Sequence, residues 1–212
     1  FIMYQIKEIF KSIQGEGYNT GVESVFIRFT GCNFWNGKFE DRSKAICNFC
    51  DTDFIGTDGC NGGKYNLENL VQTVERVWNS SFSIGKKNII LTGGEPLLQV
   101  DDNLVKILKK KKYKVSIETN GSLETRIDFD WICVSPKDQK HWHQKTGDEL
   151  KIIFPQTEFN LKELLKLDFK YFFLQPKDDK LRKLNLNKTI DYCKLNREWI
   201  PSLQLHKSFG IK

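Results

Sequence analysis

The chain has 212 residues, of which 39% are apolar and 28% charged, proportions that suit one globular unit with a core of its own. No apolar run approaches the ~18 residues needed to span a membrane, and no signal-peptide pattern stands at the N-terminus, so a cytoplasmic address without a membrane partner is expected. The formal charge of +6 suits a small anionic ligand; nucleic acid is not expected, because no stacking aromatics interleave with the run Lys109 to Lys112, which reads as a solvated helix end.

Met3 is the only methionine and the expected natural start. The first predicted strand, 24–29, ends at Thr30-Gly31 and delivers Cys32. A polar, glycine-bearing stretch runs from Asn33 to Lys64. Leu67, Leu70, Val71, Val74, Val77 and Trp78 then recur at helical spacing, with Asn66 as N-cap. Strand 88–92 runs straight into Gly93-Gly94-Glu95-Pro96. A helix over 101–111 turns Leu104, Val105 and Leu108 inward and leads to strand 114–118. Strands 131–134, 150–154 and 171–174 end at Ser135-Pro136-Lys137, Pro155-Gln156 and Gln175-Pro176. Helices 158–167 and 178–194 separate the late strands, and a last strand lies near 200–205.

This alternation predicts an α/β fold, a partial, open (β/α) barrel of about six mostly parallel strands, since a full eight-fold barrel takes ~250 residues. A single domain, 1–212, is expected, with a cysteine-bearing loop at 30–65 and a C-terminal tail at 199–212. Sites in such folds lie at the C-terminal ends of parallel strands. The cysteine loop, Gly93-Gly94-Glu95, Glu118-Thr119-Asn120-Gly121, Ser135-Pro136-Lys137 and Gln175-Pro176 all fall there, so motifs far apart in sequence converge on one rim.

Six cysteines in such a chain do not read as a disulfide framework. Cys32, Cys47 and Cys50 follow a strand with the spacing C-x14-C-x2-C. Three thiolates there can hold three irons of a [4Fe–4S] cluster and leave the fourth open for chemistry. Cys47-x-x-Cys50 alone also fits a redox pair, or a zinc knuckle with Cys60 or His141 as fourth ligand. Cys133, inside an apolar strand, reads as packing. Cys60 and the charged loop 33–46 carry no assigned role.

Taken together, Gln14-Gly15-Glu16-Gly17, Arg28-Phe29-Thr30-Gly31-Cys32-Asn33, Cys47-Asn48-Phe49-Cys50-Asp51-Thr52, Thr92-Gly93-Gly94-Glu95-Pro96, Glu118-Thr119-Asn120-Gly121, Ser135-Pro136-Lys137, Leu174-Gln175-Pro176 and Leu205-His206-Lys207 carry a resemblance. The chain resembles the radical S-adenosylmethionine (SAM) superfamily and, within it, the 7-carboxy-7-deazaguanine synthases. Most of the superfamily uses C-x3-C-x2-C; the longer spacing matches one branch of these synthases.

The resemblance implies a lyase that converts 6-carboxy-5,6,7,8-tetrahydropterin to 7-carboxy-7-deazaguanine with release of ammonia, for deazapurine products such as queuosine. It implies a [4Fe–4S] cluster on Cys32, Cys47 and Cys50, SAM, and Mg²⁺ on the Thr52 hydroxyl. SAM contacts would come from Phe49, Gly94, Glu95, Ser135, Pro136, Lys137, Gln175 and Pro176. The pterin would meet Ile13, Gln14, Gly15, Glu16, Arg28, Thr92 and His206, with the terminal carboxylate of Lys212. A flavodoxin- or ferredoxin-type electron donor and a homodimer are implied as well. Two rivals make different predictions: a glycyl-radical activase would need a protein partner, and a zinc module would be colourless without SAM affinity.

Overall fold

The structure, a computed structural model, describes residues 3–82 and 85–212. Among these residues one sheet of nine strands forms, in the order β3-β1-β2-β4-β5-β6-β7-β8-β9. β1 (Tyr4–Ile13) and β2 (Glu23–Phe29) pair antiparallel, and short β3 (Gly63–Tyr65) adds to the outer edge of β1. From β2 onward every pairing is parallel, through β4 (Asn88–Gly93), β5 (Lys114–Thr119), β6 (Trp131–Val134), β7 (Thr146–Phe154), β8 (Asp168–Pro176) and β9 (Trp199–Pro201). The parallel run has seven strands, one for each strand segment expected from the sequence, and the sheet does not close. No described helix is long and apolar enough to cross a membrane.

Strand periodicity divides the sheet into two faces. Val25, Ile27, Ile89, Leu91, Val115 and Ile117 point outward and pack under α1 (Leu67–Trp78) and α2 (Asp102–Lys110). Val134, Leu150, Ile152 and Leu174 do the same under α3 (Leu161–Leu164), α4 (Arg182–Leu195) and Trp199. The alternate residues, among them Phe26, Arg28, Thr92, Glu118, Cys133 and Lys151, face the concave side. Buried aliphatic residues thus hold the helices, and chemistry-bearing ones line the cleft.

Helices α1 and α2 are capped by side chains suited to the position. Asn66 accepts from the Asn69 N–H at 2.8 Å and Asp101 from the Leu104 N–H at 2.9 Å. The lysine run closes α2, where Lys109 pairs with Asp128 (2.7 Å) and Lys111 with Glu75 (2.8 Å).

Three elements depart from expectation. β1 went unpredicted because a bulge between Ile6 and Glu8 breaks its alternation and sets Lys7, Glu8 and Lys11 among apolar residues. The last strand, expected near 200–205, stops at Pro201, which has no N–H to continue a ladder, and α5 (Leu205–Phe209) begins after residues 202–204. The helix expected over 158–167 is reduced to α3, capped by Asn160, before the chain turns into β8.

Candidate active site

A cleft of about 340 Å³ opens at the C-terminal edge of the parallel strands, within the range of small-molecule sites, ~300–1,000 Å³. Of the residues predicted for the site, all but Glu95 and Pro136 line it. Pro136 lies between Ser135 and Lys137, which both face inward.

Cys32, Cys47 and Cys50 line one end, and none is in a disulfide. The Cys32 Sγ accepts from the Phe34 N–H at 3.4 Å. Burial pushes its thiol up, against the pull of backbone N–H groups at Phe34 and Trp35. Cys47 and Cys50 share a hydrogen bond that lowers Cys50 to about 6 and, with burial, pushes Cys47 up. The Lys137 cation favours the thiolate of both, and its Nζ donates to the Ser135 Oγ at 2.8 Å. Reduced thiols, backbone N–H donors and a nearby cation fit an iron–sulfur cluster.

Among the described residues no three His, Cys, Asp or Glu side chains come together as a site for a single metal ion. His141 instead pairs with Asp138 at 2.9 Å, and Cys60 sits exposed beside β1, its carbonyl accepting from the Ile9 N–H at 2.8 Å. Neither proposed fourth zinc ligand lines the cleft. Cys133, expected to be packing, is buried but does face the cleft.

The Gly-Gly-Glu turn crosses the start of the cysteine loop at close range. The Gly94 N–H donates to the Phe29 carbonyl (3.2 Å) and the Glu95 N–H to the Gly31 carbonyl (2.9 Å). A Cβ on Gly94 would collide with that Gly31 carbonyl, so only glycine allows the approach. Glu95, expected to contact SAM, is wholly buried and turns its carboxylate into the protein. It accepts from the Leu97 N–H (3.0 Å), the Thr119 hydroxyl (2.9 Å) and the Asn120 N–H (2.8 Å), tying the ends of β4 and β5 together.

The loop after β1 also lines the cleft. Gln14 Nε2 and the Thr92 hydroxyl each donate at 2.9 Å to the two oxygens of Glu118, and Gln14 Oε1 accepts from the Glu16 N–H at 3.1 Å. Glu16 receives Lys151 Nζ at 2.5 Å and Gln204 Nε2 at 2.9 Å. Burial opposes ionisation of Glu16, but the Lys151 charge prevails and holds its carboxyl below the usual range. Burial pushes Glu149, just below, upward.

The chain's end closes over this loop. The Leu205 N–H donates to the Gly15 carbonyl (3.0 Å), and the His206 ring packs where a Gly15 side chain would be. Lys207 bridges Asp51 and Asp178, each at 2.5 Å. Asp51, set against burial, is lowered to about 2 by Lys207 and Gln204, so it anchors the tail rather than standing free beside Thr52. The Lys212 carbonyl oxygen accepts from the Ser12 hydroxyl at 2.5 Å, and its Nζ pairs with Glu8. Glu8 also takes Arg28 Nε at 3.0 Å, so the charge in β2 already has a protein partner.

Glu118, Lys151, Gln204, Lys207 and Glu8 line the cleft with no role predicted for them. Lys151, like Arg28, is a cation in a strand of mostly apolar neighbours, a signal visible in the sequence. Glu118 stood in a quoted motif, at a strand end, without a role.

Residues 41–132 match the radical SAM superfamily. The chain is 47% identical to the 7-carboxy-7-deazaguanine synthase of Burkholderia multivorans over 98% of its own length and 99% of the relative's. It is 44% identical to that of Caulobacter vibrioides, with the same coverage. The crystal structure of QueE from Escherichia coli superposes with a TM-score of 0.68 at 28% identity, covering 95% of this chain and 94% of that one. With a cleft of this build and similarity running end to end, the chain belongs to the 7-carboxy-7-deazaguanine synthase family of radical SAM enzymes.

Proposed function

We propose that residues 1–212 act as one catalytic unit that converts 6-carboxy-5,6,7,8-tetrahydropterin to 7-carboxy-7-deazaguanine with loss of ammonia, in a deazapurine route such as that to queuosine. Family membership makes the chain a SAM-using enzyme with a [4Fe–4S] cluster, which together supply the one-electron cleavage that starts the reaction. The observation that carries the pterin assignment is the group of Gln14, Glu16 and Glu118, which line the same cleft as the cysteines and present amide and carboxylate groups to it. Such a set accepts from the ring N–H and amino groups of a pterin.

In this reading Cys32, Cys47 and Cys50 hold the cluster. Phe49, Gly94, Ser135, Lys137, Gln175 and Pro176 form the SAM side, with Glu95 and Pro136 shaping it from behind. Ile13, Gln14, Gly15, Glu16, Thr92 and His206 enclose the ring. Arg28, oriented by Glu8, faces the substrate carboxylate, and Lys212 lines the cleft beside them. Thr52 offers one hydroxyl to Mg²⁺, which takes oxygen ligands and keeps water. The buried floor and the docked tail exclude water. A cytoplasmic homodimer served by a flavodoxin- or ferredoxin-type donor completes the proposal, since the cluster needs one electron from outside.

Binding tests the assignment. Carboxytetrahydropterin should bind the reconstituted, SAM-loaded chain in calorimetry, and Glu16→Gln should weaken it at least tenfold, about 1.4 kcal/mol. No binding, or binding indifferent to Glu16, would remove the pterin from this cleft.

A further inference from the structure

Fourteen residues separate Cys32 from Cys47 where the short superfamily motif has three, and the excess is set aside in one step. The Phe34 carbonyl accepts from the Ile46 N–H at 3.1 Å, pinching residues 35–45 off as a closed loop. Cutting across that bond, Asn33, Phe34 and Ile46 alone stand between the two cysteines, the number in the short motif.

The pinched-off segment is built, not slack. Trp35 packs edge-on against Phe54 with centroids 5.7 Å apart, and its indole N–H donates to the Lys38 carbonyl at 3.1 Å. The Asn36 amide donates to Asp41 at 2.7 Å. The helical turn Phe39–Lys44 then carries Arg42 back toward the cysteines. Its guanidinium lies over the Trp35 ring at 4.3 Å, and Nη1 donates to the Cys50 carbonyl at 3.0 Å and, at 3.4 Å, to the Asn48 carbonyl. Its Nε is buried without a partner among the described residues. The cation is therefore fixed and partly dehydrated, and its field at the cysteine turn is correspondingly stronger.

We infer that segment 35–45 is a brace for the iron–sulfur cluster, acting through Arg42 as a positioning residue. Arg42 pins two carbonyls of the Cys47–Cys50 turn and sets a permanent positive charge behind the Cys50 ligand. This rests on the reading that Cys32, Cys47 and Cys50 hold the cluster. Two consequences follow: the turn cannot swing away and release iron, and the reduced, more negative cluster is stabilised, because potential follows local charge and hydrogen bonding. The planar guanidinium, stacked on Trp35 while Nη1 donates to both carbonyls, belongs to arginine; lysine supplies charge alone.

The test compares wild type, Arg42→Ala and Arg42→Lys after anaerobic reconstitution. It reads iron and sulfide per chain, the rate at which a chelator bleaches the cluster's visible absorbance, and the midpoint potential from an EPR-monitored titration. Arg42→Ala should assemble a cluster, lose it to chelator about tenfold faster, and show a more negative midpoint. Arg42→Lys should keep the midpoint near wild type while regaining only part of the retention. If Arg42→Ala matches wild type in bleaching rate and midpoint potential, the inference fails and the segment is left to another use, such as docking a partner. If Arg42→Ala loses its native circular dichroism, Arg42→Lys decides: faster bleaching at unchanged potential supports the brace, and wild-type bleaching overturns it. A wild-type chain that takes up no cluster would instead remove the cysteine reading itself.

Discussion

Replacing Lys151 by methionine keeps the length of the side chain in β7 and removes its charge. Lys151 and Glu16 are both mostly buried, with side chains 7% and 15% exposed, and their N–O distance is 2.5 Å. Removing one partner of such a pair costs about 3–5 kcal/mol, because the other charge stays buried and uncompensated. Glu16 keeps its bond from Gln204 and can take up a proton, which places the loss near the lower end, about 3 kcal/mol. For a domain of this size each kcal/mol moves Tm by ~2–4 °C, so anaerobic thermal unfolding followed by circular dichroism should show a fall of ~6–12 °C. Adding Glu16→Gln to Lys151→Met removes the stranded charge and should recover at least ~1 kcal/mol. The pH dependence has a definite sign. Glu16 is held below its ordinary 4.5 in the folded chain, so its share of stability is present above that value and lost as pH falls through the folded value. Lys151 is held well above 10.5, so its share is complete below 10.5 and lost as pH rises through its folded value. A single variant as stable as wild type, or a double variant less stable than the single one, would refute the pair as a buried brace.

Two further outcomes are expected. Gly94→Ala puts a methyl group onto the Gly31 carbonyl and must part the β4 turn from the cysteine loop; reconstituted protein should show SAM binding weakened beyond tenfold in equilibrium dialysis, and wild-type SAM affinity would contradict the close approach. Lys207→Ala frees Asp51 and Asp178 and loosens the tail over the Gln14–Glu16 loop; a loss of about 1 kcal/mol, a rise of about fivefold in KM, should appear in steady-state kinetics with kcat little changed.

The parts of this molecule that could be read from sequence are those set by local pattern. Helical spacing from Leu67 to Trp78 with Asn66 before it defines α1, and apolar strands ending in polar turns locate the rim. Where a distant partner decides, the pattern falls silent. Glu95 after two glycines suggests a ligand contact; its carboxylate turns inward because Thr119 and Asn120, from the next strand, offer three-dimensional neighbours the local sequence does not announce. Arg28 is legible as a charge needing a partner, but the partner is Glu8 across the hairpin, in a strand hidden by its own bulge. The spacing of fourteen between Cys32 and Cys47 looks like a departure from the short motif until the Phe34 to Ile46 bond closes it.

In the proposed function one cleft joins a SAM-cleaving cluster to a carboxylated pterin. Its most direct test incubates the anaerobically reconstituted chain with SAM, Mg²⁺, dithionite and 6-carboxy-5,6,7,8-tetrahydropterin and follows product by mass spectrometry. Wild type should form 7-carboxy-7-deazaguanine, and Cys50→Ala none. A brown protein that cleaves SAM yet leaves the pterin unchanged would contradict the substrate, and a colourless, zinc-loaded protein would contradict the whole reading.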